Sequence, residues 1–410
     1  MKKHCFLLLL SFFSKANAQT RDSLDIKIGQ MILIGMPAAA VDSMVLKEVK
    51  SGKVGSLIYF EKNIPKSTSA FASFKKMSWT YQRAAPIPLF ICIDQEGGKV
   101  NRLKEKYGFT RSITAASIGK FKSIDSVQFY AEATAATLAG LGINVNFAPC
   151  VDLNINPLNP AIAKPERSYS ANEDTVIMYA KEVVKQHRKF GVVTALKHFP
   201  GHGSSKDDTH LGLADVTNTW SERELKPYRV LIDSGYVDGV MTSHIVNKNL
   251  DHKALPGTLS KSILDSILRK KIGFNGVVFS DDMQMKAIAS NYGLEEAIKL
   301  AVNAGVDIMC FSNNILGVEN RTVDRVHDII NNFVASGEIK KTRIDESFKR
   351  IMKLKKRISP DWEVQSLRIQ NEKLAQRNSE EVTALKKANE EIEQLKSVKK
   401  SKKKKSKQKN

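Results

Sequence analysis

Cysteine is scarce in this chain, four in 410 residues, and the scarcity excludes a disulfide-built scaffold. Cys5 falls within the first eighteen residues. Cys92, Cys150 and Cys310 each sit inside an apolar run, in Phe90-Ile91-Cys92-Ile93, Ala148-Pro149-Cys150-Val151 and Ile308-Met309-Cys310-Phe311. An odd number of thiols embedded this way reads as buried free cysteines, not as a disulfide framework or a metal cluster. Also missing are a zinc-ligand spacing, a Walker phosphate loop, a Gly-x-Ser-x-Gly elbow, and a Gly-x-Gly-x-x-Gly turn after the first apolar run. These absences remove sequence support for zinc hydrolysis, P-loop phosphoryl transfer, serine hydrolysis and dinucleotide binding. No run beyond residue 18 is long and apolar enough to form a membrane-spanning helix.

The ends of the chain differ from its middle. Met1-Lys2-Lys3-His4 is a basic start, Cys5 to Phe13 a short apolar run, and Ala16-Asn17-Ala18 a small-residue cleavage site. Together they describe a secretory signal peptide over residues 1–18, so export to the periplasm or medium is expected. The formal charge of +21 is concentrated: nine lysines lie between Lys396 and Lys409, and Lys2, Lys3 and Lys15 leave with the signal, which leaves about +9 for the body. No nucleic-acid motif accompanies that charge, so nucleic acid is not an expected partner. Over 362–396, Leu367, Leu374, Leu385 and Ile392 fall at heptad-compatible spacings among polar residues, with Asn371 and Asn378 at would-be core positions. This reads as a helical stalk capable of a modest coiled coil and weak self-association. Residues 397–410 read as a disordered Lys-rich tail suited to anionic surfaces, because nothing apolar there offsets the entropy of ordering.

Between the ends, apolar runs alternate with segments of helical periodicity, which predicts strand-helix units on a parallel sheet. The strands are expected at Met31–Gly35, Val54–Phe60, Leu89–Asp94, Ile143–Pro149, Val192–His198, Gly239–His244, Gly276–Asp281 and Asp307–Ser312. Helices are expected at Val41–Lys50, Ser67–Tyr81, Val127–Leu141, Glu173–Phe190, Glu222–Asp233, Ser260–Arg269, Leu294–Ala304 and Thr322–Ser336. Eight such units within residues 19–358 point to a single TIM-type (β/α)8 barrel, whose active site is built by the loops after the strands. An open doubly wound sheet is the alternative.

Charged residues cap those apolar strands at one end. Strand three ends at Asp94, with Arg102 eight residues on. Strand four runs into Asp152, and its loop carries Arg167. Strand five ends at Lys197-His198 and continues into a loop with His202, Asp207, Asp208 and His210. Strand six ends at His244, and strand seven at Ser280-Asp281-Asp282. Charges gathered on one rim are expensive to desolvate without a job. Carboxylates with an imidazole and several cations, and with no serine elbow or zinc pattern, match glycoside cleavage, in which an anion stabilises an oxocarbenium-like transition state. Lys197, Arg102 and Arg167 with Asp94 would suit a ring of sugar hydroxyls.

At these residues the chain resembles the family 3 glycoside hydrolases, and within them the β-N-acetylhexosaminidase branch. Five ordered stretches carry the resemblance: Asp94 to Arg102, Phe147 to Asp152, Lys197 to Gly203 through Asp208-Thr209-His210, Val240 to His244, and Phe279 to Met285. It implies retention of configuration through a glycosyl-enzyme intermediate, with Asp281 as nucleophile. It implies a His210 acid/base paired with Asp208 on a mobile loop. Sugar contacts are implied at Asp94, Arg102, Arg167, Lys197 and His198, and more loosely at His244 and Met285. No metal or cofactor is implied. The carbohydrate would be a terminal N-acetylglucosamine, with peptidoglycan fragments as an expected source. The rival readings are a β-glucosidase, a phosphorolytic enzyme on the same intermediate, and a non-catalytic envelope protein. Asp282 and His202 are expected to be structural. Ser204 and Lys99 depart from the branch pattern, where Asp and Arg are common.

Overall fold

The computed structural model describes residues 23–66, 69–313 and 322–358. The expected signal peptide, stalk and Lys-rich tail lie outside these residues. Eight strands close a parallel barrel in sequence order: β1 (Ile32–Gly35), β2 (Ser56–Tyr59), β3 (Phe90–Ile93), β4 (Val145–Asn146), β5 (Val193–Phe199), β6 (Gly239–Thr242), β7 (Val277–Asp282) and β8 (Ile308–Phe311). Closure is direct, since Leu33 of β1 pairs in parallel with Cys310 of β8 on one side and with Ser56 of β2 on the other. Aliphatic residues on both faces of these strands explain the topology: helices must cover the outer face while the inner face fills the lumen. Phe90, Phe147 and Phe279 fill part of that core in edge-to-face contact. The three cysteines are buried and free, as their apolar settings imply.

Helices follow the strands around the outside, from Ser43–Lys50 and Ala70–Ala84 through Ile124–Leu141, Glu173–Lys189 and Leu294–Ala304 to Val323–Ser336. Several start where a side chain satisfies the free N–H groups of the first turn. Asp42 accepts from Met44 and Val45, and Asn172 accepts from Thr175. Two expectations are corrected in detail. The fourth strand pairs only over Val145–Asn146, because the amide side chains of Asn144 and Asn146 take over the flanking backbone groups at Ile91 and Gln95 (2.8 and 3.0 Å). The segment expected as a helix at Ser260–Arg269 winds instead as a π-helix, Ser262–Lys271.

The floor of the barrel, at the N-terminal ends of the strands, is closed by ionic hubs. Asp307 is buried and accepts from Arg269, Arg343, Arg350, Ser347 and the Val278 N–H. Asp238 gathers Arg188, Arg357 and Thr194 in the same way. Lys355, from the helix Lys341–Lys355, reaches Gln30 Oε1 (2.6 Å) and the Gly55 carbonyl (2.9 Å) over the Phe90 ring. Burial pushes its ammonium down to about 7.

Candidate active site

At the opposite end, the turn after β3 brings its polar groups together. Gln95 Oε1 accepts the N–H groups of Arg102 and Leu103 (3.0 and 3.2 Å), folding the chain back so that the Arg102 guanidinium meets Asp94 at 3.4 Å. The reversal runs through Gly97 and Gly98, both at positive φ, and a Cβ on Gly98 would sit 2.2 Å from the Thr114 side chain. Only glycine fits there.

Lys197, buried near the end of β5, places its ammonium between two acids, Asp94 Oδ1 at 2.8 Å and Glu96 Oε1 at 2.6 Å. Glu96 in turn takes a two-pronged grip from Arg167, through Nη2 at 2.7 Å and Nε at 2.9 Å. Burial opposes the charge on each of these groups, yet their mutual attraction more than offsets it: Asp94 and Glu96 titrate below the usual carboxylate range, and Lys197 and Arg167 above their ordinary values. The network continues from Arg167 Nη2 to His198 Nε2 (2.9 Å) and from His198 Nδ1 to Asp152 Oδ2 (2.6 Å). An arginine can only donate, so Nε2 accepts and Nδ1 carries the proton toward Asp152.

Asp281 lies on β7 with its backbone N–H directed at Thr242 Oγ1 (3.3 Å). Among the described residues its carboxylate accepts one hydrogen bond, from the Asp282 N–H at 2.8 Å. Burial raises its pKa, but His244, His198 and His210 nearby outweigh this and hold it below the ordinary value. His244 is fixed at both ring nitrogens, Nδ1 against Thr258 Oγ1 (2.7 Å) and Nε2 donating to the Asp282 carbonyl (2.9 Å). Asp282 turns its carboxylate to the N–H groups of Gln284 and Ser312 and to the Ser312 hydroxyl, and burial pushes it up to about 6. Met285 is buried at the start of the helix Lys286–Tyr292.

The loop after β5 carries the last pair. Asp208 Oδ1 accepts from His210 Nδ1 (2.8 Å) and from the His210 N–H (2.9 Å). The His210 side chain is 65 % exposed. That hydrogen bond first, and the charge of Asp281 in addition, raise the His210 pKa above 6.5, while Asp208 is held down to about 2. An exposed histidine held at Nδ1 by a carboxylate is placed to exchange protons with solvent or with a group arriving from it.

The structure therefore brings Asp94, Arg102, Arg167, Lys197 and His198 into one connected network, with Asp281, His244, His210 and Asp208 around the same mouth. Three residues organise it; sequence reasoning placed Asp152 on the rim without naming its partners and singled out neither Glu96 nor Glu224. Glu96 joins Lys197 to Arg167. Asp152 holds His198 and accepts the His202 N–H at 2.7 Å. Glu224, from the turn Glu222–Leu225, accepts the Gly203 N–H at 2.7 Å. The position of Glu96 between Asp94 and Arg102 was the available signal for the first; Glu224 offered none. Cys150, Asp152 and His198 are the group of possible metal donors among the described residues. Their atoms are spent on one another, since the Cys150 thiol and His198 Nδ1 both donate to Asp152 Oδ2.

Comparison with known proteins agrees with this geometry. The glycosyl hydrolase family 3 N-terminal domain matches residues 23–354. A β-hexosaminidase of Tolumonas auensis is 32% identical over 70% of this chain and 84% of its own length. β-Hexosaminidase A of Pseudoalteromonas piscicida is 32% identical over 74% of this chain, which spans 54%, about half, of that relative. Among solved structures, a family 3 β-N-acetylglucosaminidase from a Paenibacillus species superposes with a TM-score of 0.76 at 34% identity, over 83% of this chain and 63% of that one. The chain belongs to family 3 of the glycosyl hydrolases.

Proposed function

We propose that the chain is a retaining, exo-acting β-N-acetylglucosaminidase that removes terminal N-acetylglucosamine from glycosides, peptidoglycan fragments among them. Asp281 attacks the anomeric carbon, and the bond to the leaving oxygen breaks as His210, held by Asp208, gives that oxygen its proton. The glycosyl-Asp281 ester is then cleaved by water, whose proton returns to His210. Asp94, Arg102, Lys197 and the Arg167–His198 network offer rigid donors and acceptors to the ring hydroxyls. The observation that carries the reading is the pairing of Asp281, a carboxylate that accepts one backbone N–H among the described residues, with an exposed, hydrogen-bonded His210–Asp208 dyad at the same mouth. The names of the relatives support the N-acetylhexosaminide class over glucosides. Intact Asp281, Asp208 and His210 weigh against a non-catalytic envelope protein.

The leader over residues 1–18 supports an exported enzyme, and the lysines of 397–410 support contact with anionic envelope surfaces. Vesicle binding that is unchanged on deleting residues 396–410 would remove the latter. The assay that tests the main reading compares nitrophenyl N-acetylglucosaminide with nitrophenyl glucoside, with and without phosphate. Turnover of the first alone, independent of phosphate, is expected. Preference for the glucoside, or a requirement for phosphate, would replace hydrolysis of N-acetylglucosaminides with one of its rivals.

A further inference from the structure

The loop bearing Asp208 and His210 leaves the barrel through Pro200-Gly201-His202-Gly203-Ser204, and nearly every backbone group of this root is gripped. The Trp220 indole N–H donates to the Pro200 carbonyl at 3.2 Å. The Asn159 amide donates to the carbonyls of His202 and Gly203 at 2.7 and 3.1 Å. The His202 N–H goes to Asp152, and the Gly203 N–H to Glu224. Asp152 has a second employment in holding His198; Glu224 has none. Only 1 % exposed, it lies beneath the root with no cation in ion-pair range among the described residues. Burial pushes its carboxyl up to about 7, against the Gly203 N–H that lowers it in part. The fit leaves no clearance: a Cβ on Gly201, whose φ is +118°, would come within 2.5 Å of Glu224 Cβ. The glycine-rich joint is thus pressed onto a buried acid, a few residues before the dyad.

We infer that Glu224 is a positioning residue for the acid/base: by clamping the Gly201–Ser204 joint from below, it sets where the Asp208–His210 pair stands over Asp281, without touching substrate. This rests on His210 being the acid/base, so the test separates the two ideas. With nitrophenyl N-acetylglucosaminide the departing phenolate needs no proton, and the burden on His210 falls on the second step, the deprotonation of water. Azide bypasses that step. Its nitrogen bonds the anomeric carbon, the ester C–O bond breaks, and the Asp281 carboxylate leaves with the electron pair, giving the β-glycosyl azide with no base required.

Glu224→Ala, Glu224→Gln, His210→Ala and the Glu224→Ala/His210→Ala double variant are compared in the full chain. A displaced dyad should lower kcat of Glu224→Ala by on the order of 10- to 100-fold and lower KM with it, because the glycosyl ester accumulates, and azide should restore turnover. Glu224→Gln, which keeps an acceptor for the Gly203 N–H, should stay within about threefold of the parent. The double variant should be no slower than His210→Ala. Full activity of Glu224→Ala, a loss that azide does not relieve, or additive losses in the double variant would overturn the inference. If Glu224→Ala does not fold, Trp220→Phe, which keeps the ring and removes the N–H to Pro200, is read by the same azide test, and an unrelieved or absent loss there overturns it equally. A His210→Ala variant with full activity would instead sink the acid/base reading.

Discussion

Two aspartates of this barrel, one on β7 and one immediately before β8, have opposite surroundings. Asp307, at the floor, is saturated: Arg269 and the Val278 N–H occupy Oδ2, and Arg343, Arg350 and Ser347 occupy Oδ1. Asp281, at the mouth, receives one backbone N–H among the described residues and faces three histidines. Both are held below the ordinary carboxylate value, by guanidiniums in one case and by imidazoles in the other, each against the cost of burial. A low pKa therefore does not tell the two apart. What separates them is unspent hydrogen-bonding capacity: the floor carboxylate has its partners within the protein, whereas the mouth carboxylate keeps lone pairs for something arriving from outside.

That contrast is best broken by exchanging the consequences. Asp281→Asn should abolish turnover by several orders of magnitude, because the amide cannot form the ester, while thermal unfolding stays close to that of the parent. A normally active Asp281→Asn enzyme would dissolve the distinction. His210→Ala should cost about 10²- to 10⁴-fold in kcat/KM for substrates with poor leaving groups and much less for nitrophenyl glycosides; an equal loss of kcat/KM for both would place His210 elsewhere in the cycle. Asp307→Asn should act in reverse, destabilising by about 3–5 kcal/mol because three guanidiniums lose their buried partner, with the folded fraction keeping its kcat. Calorimetry with active-site titration reads both quantities.

The pH dependence gives a smaller effect that sharpens the same point. The proposed mechanism needs Asp281 ionised and His210 protonated at the start, so the acid limb of kcat/KM should lie below the ordinary carboxylate value of 3.8 and the alkaline limb above 6.5. Stability follows the dyad separately. The raised His210 contributes fully below its unfolded pKa, near 6.5, and loses that contribution as pH rises through its folded value. Asp208, held down to about 2, contributes above about 3.8 and loses it as pH falls toward 2. His210 is mostly exposed, so solvent screens the gain. In Asp208→Asn the alkaline limb should move down toward 6.5; no movement would deny the pairing a role in tuning His210.

Much of the barrel was legible because parallel strands buried on both faces leave unbroken apolar runs such as Phe90–Ile93 and Val277–Phe279. Strand-end charges marked the mouth for the same reason, since an acid ending such a run has to face a site. Short helices without a full period of pattern, Leu24–Gln30, Ala115–Phe121 and Lys286–Tyr292, were not legible. Nor did the 3.6-residue pattern distinguish an α-helix from the π-helix at Ser262–Lys271. Partner choice was the larger gap. Glu96 meets Arg167 across 71 positions of sequence, and Glu224 reaches the loop root only because the turn Glu222–Leu225 packs beneath it. Such pairings are set by tertiary placement, on which local pattern is silent. His244, loosely implied as a sugar contact, has both ring nitrogens engaged by Thr258 and Asp282, partners that no local pattern names.

The central claim, that Asp281 becomes covalently attached to the sugar, is open to a direct measurement. A 5-fluoro N-acetylglucosaminyl fluoride forms the ester readily but hydrolyses it slowly, because the ring fluorine destabilises the oxocarbenium-like transition state and the good leaving group favours the first step. Intact-mass and peptide analysis of the inactivated enzyme should show one sugar on the peptide containing Asp281, and none in Asp281→Asn. A sugar on Asp282 or any other residue, or inactivation with no covalent adduct, would contradict the account.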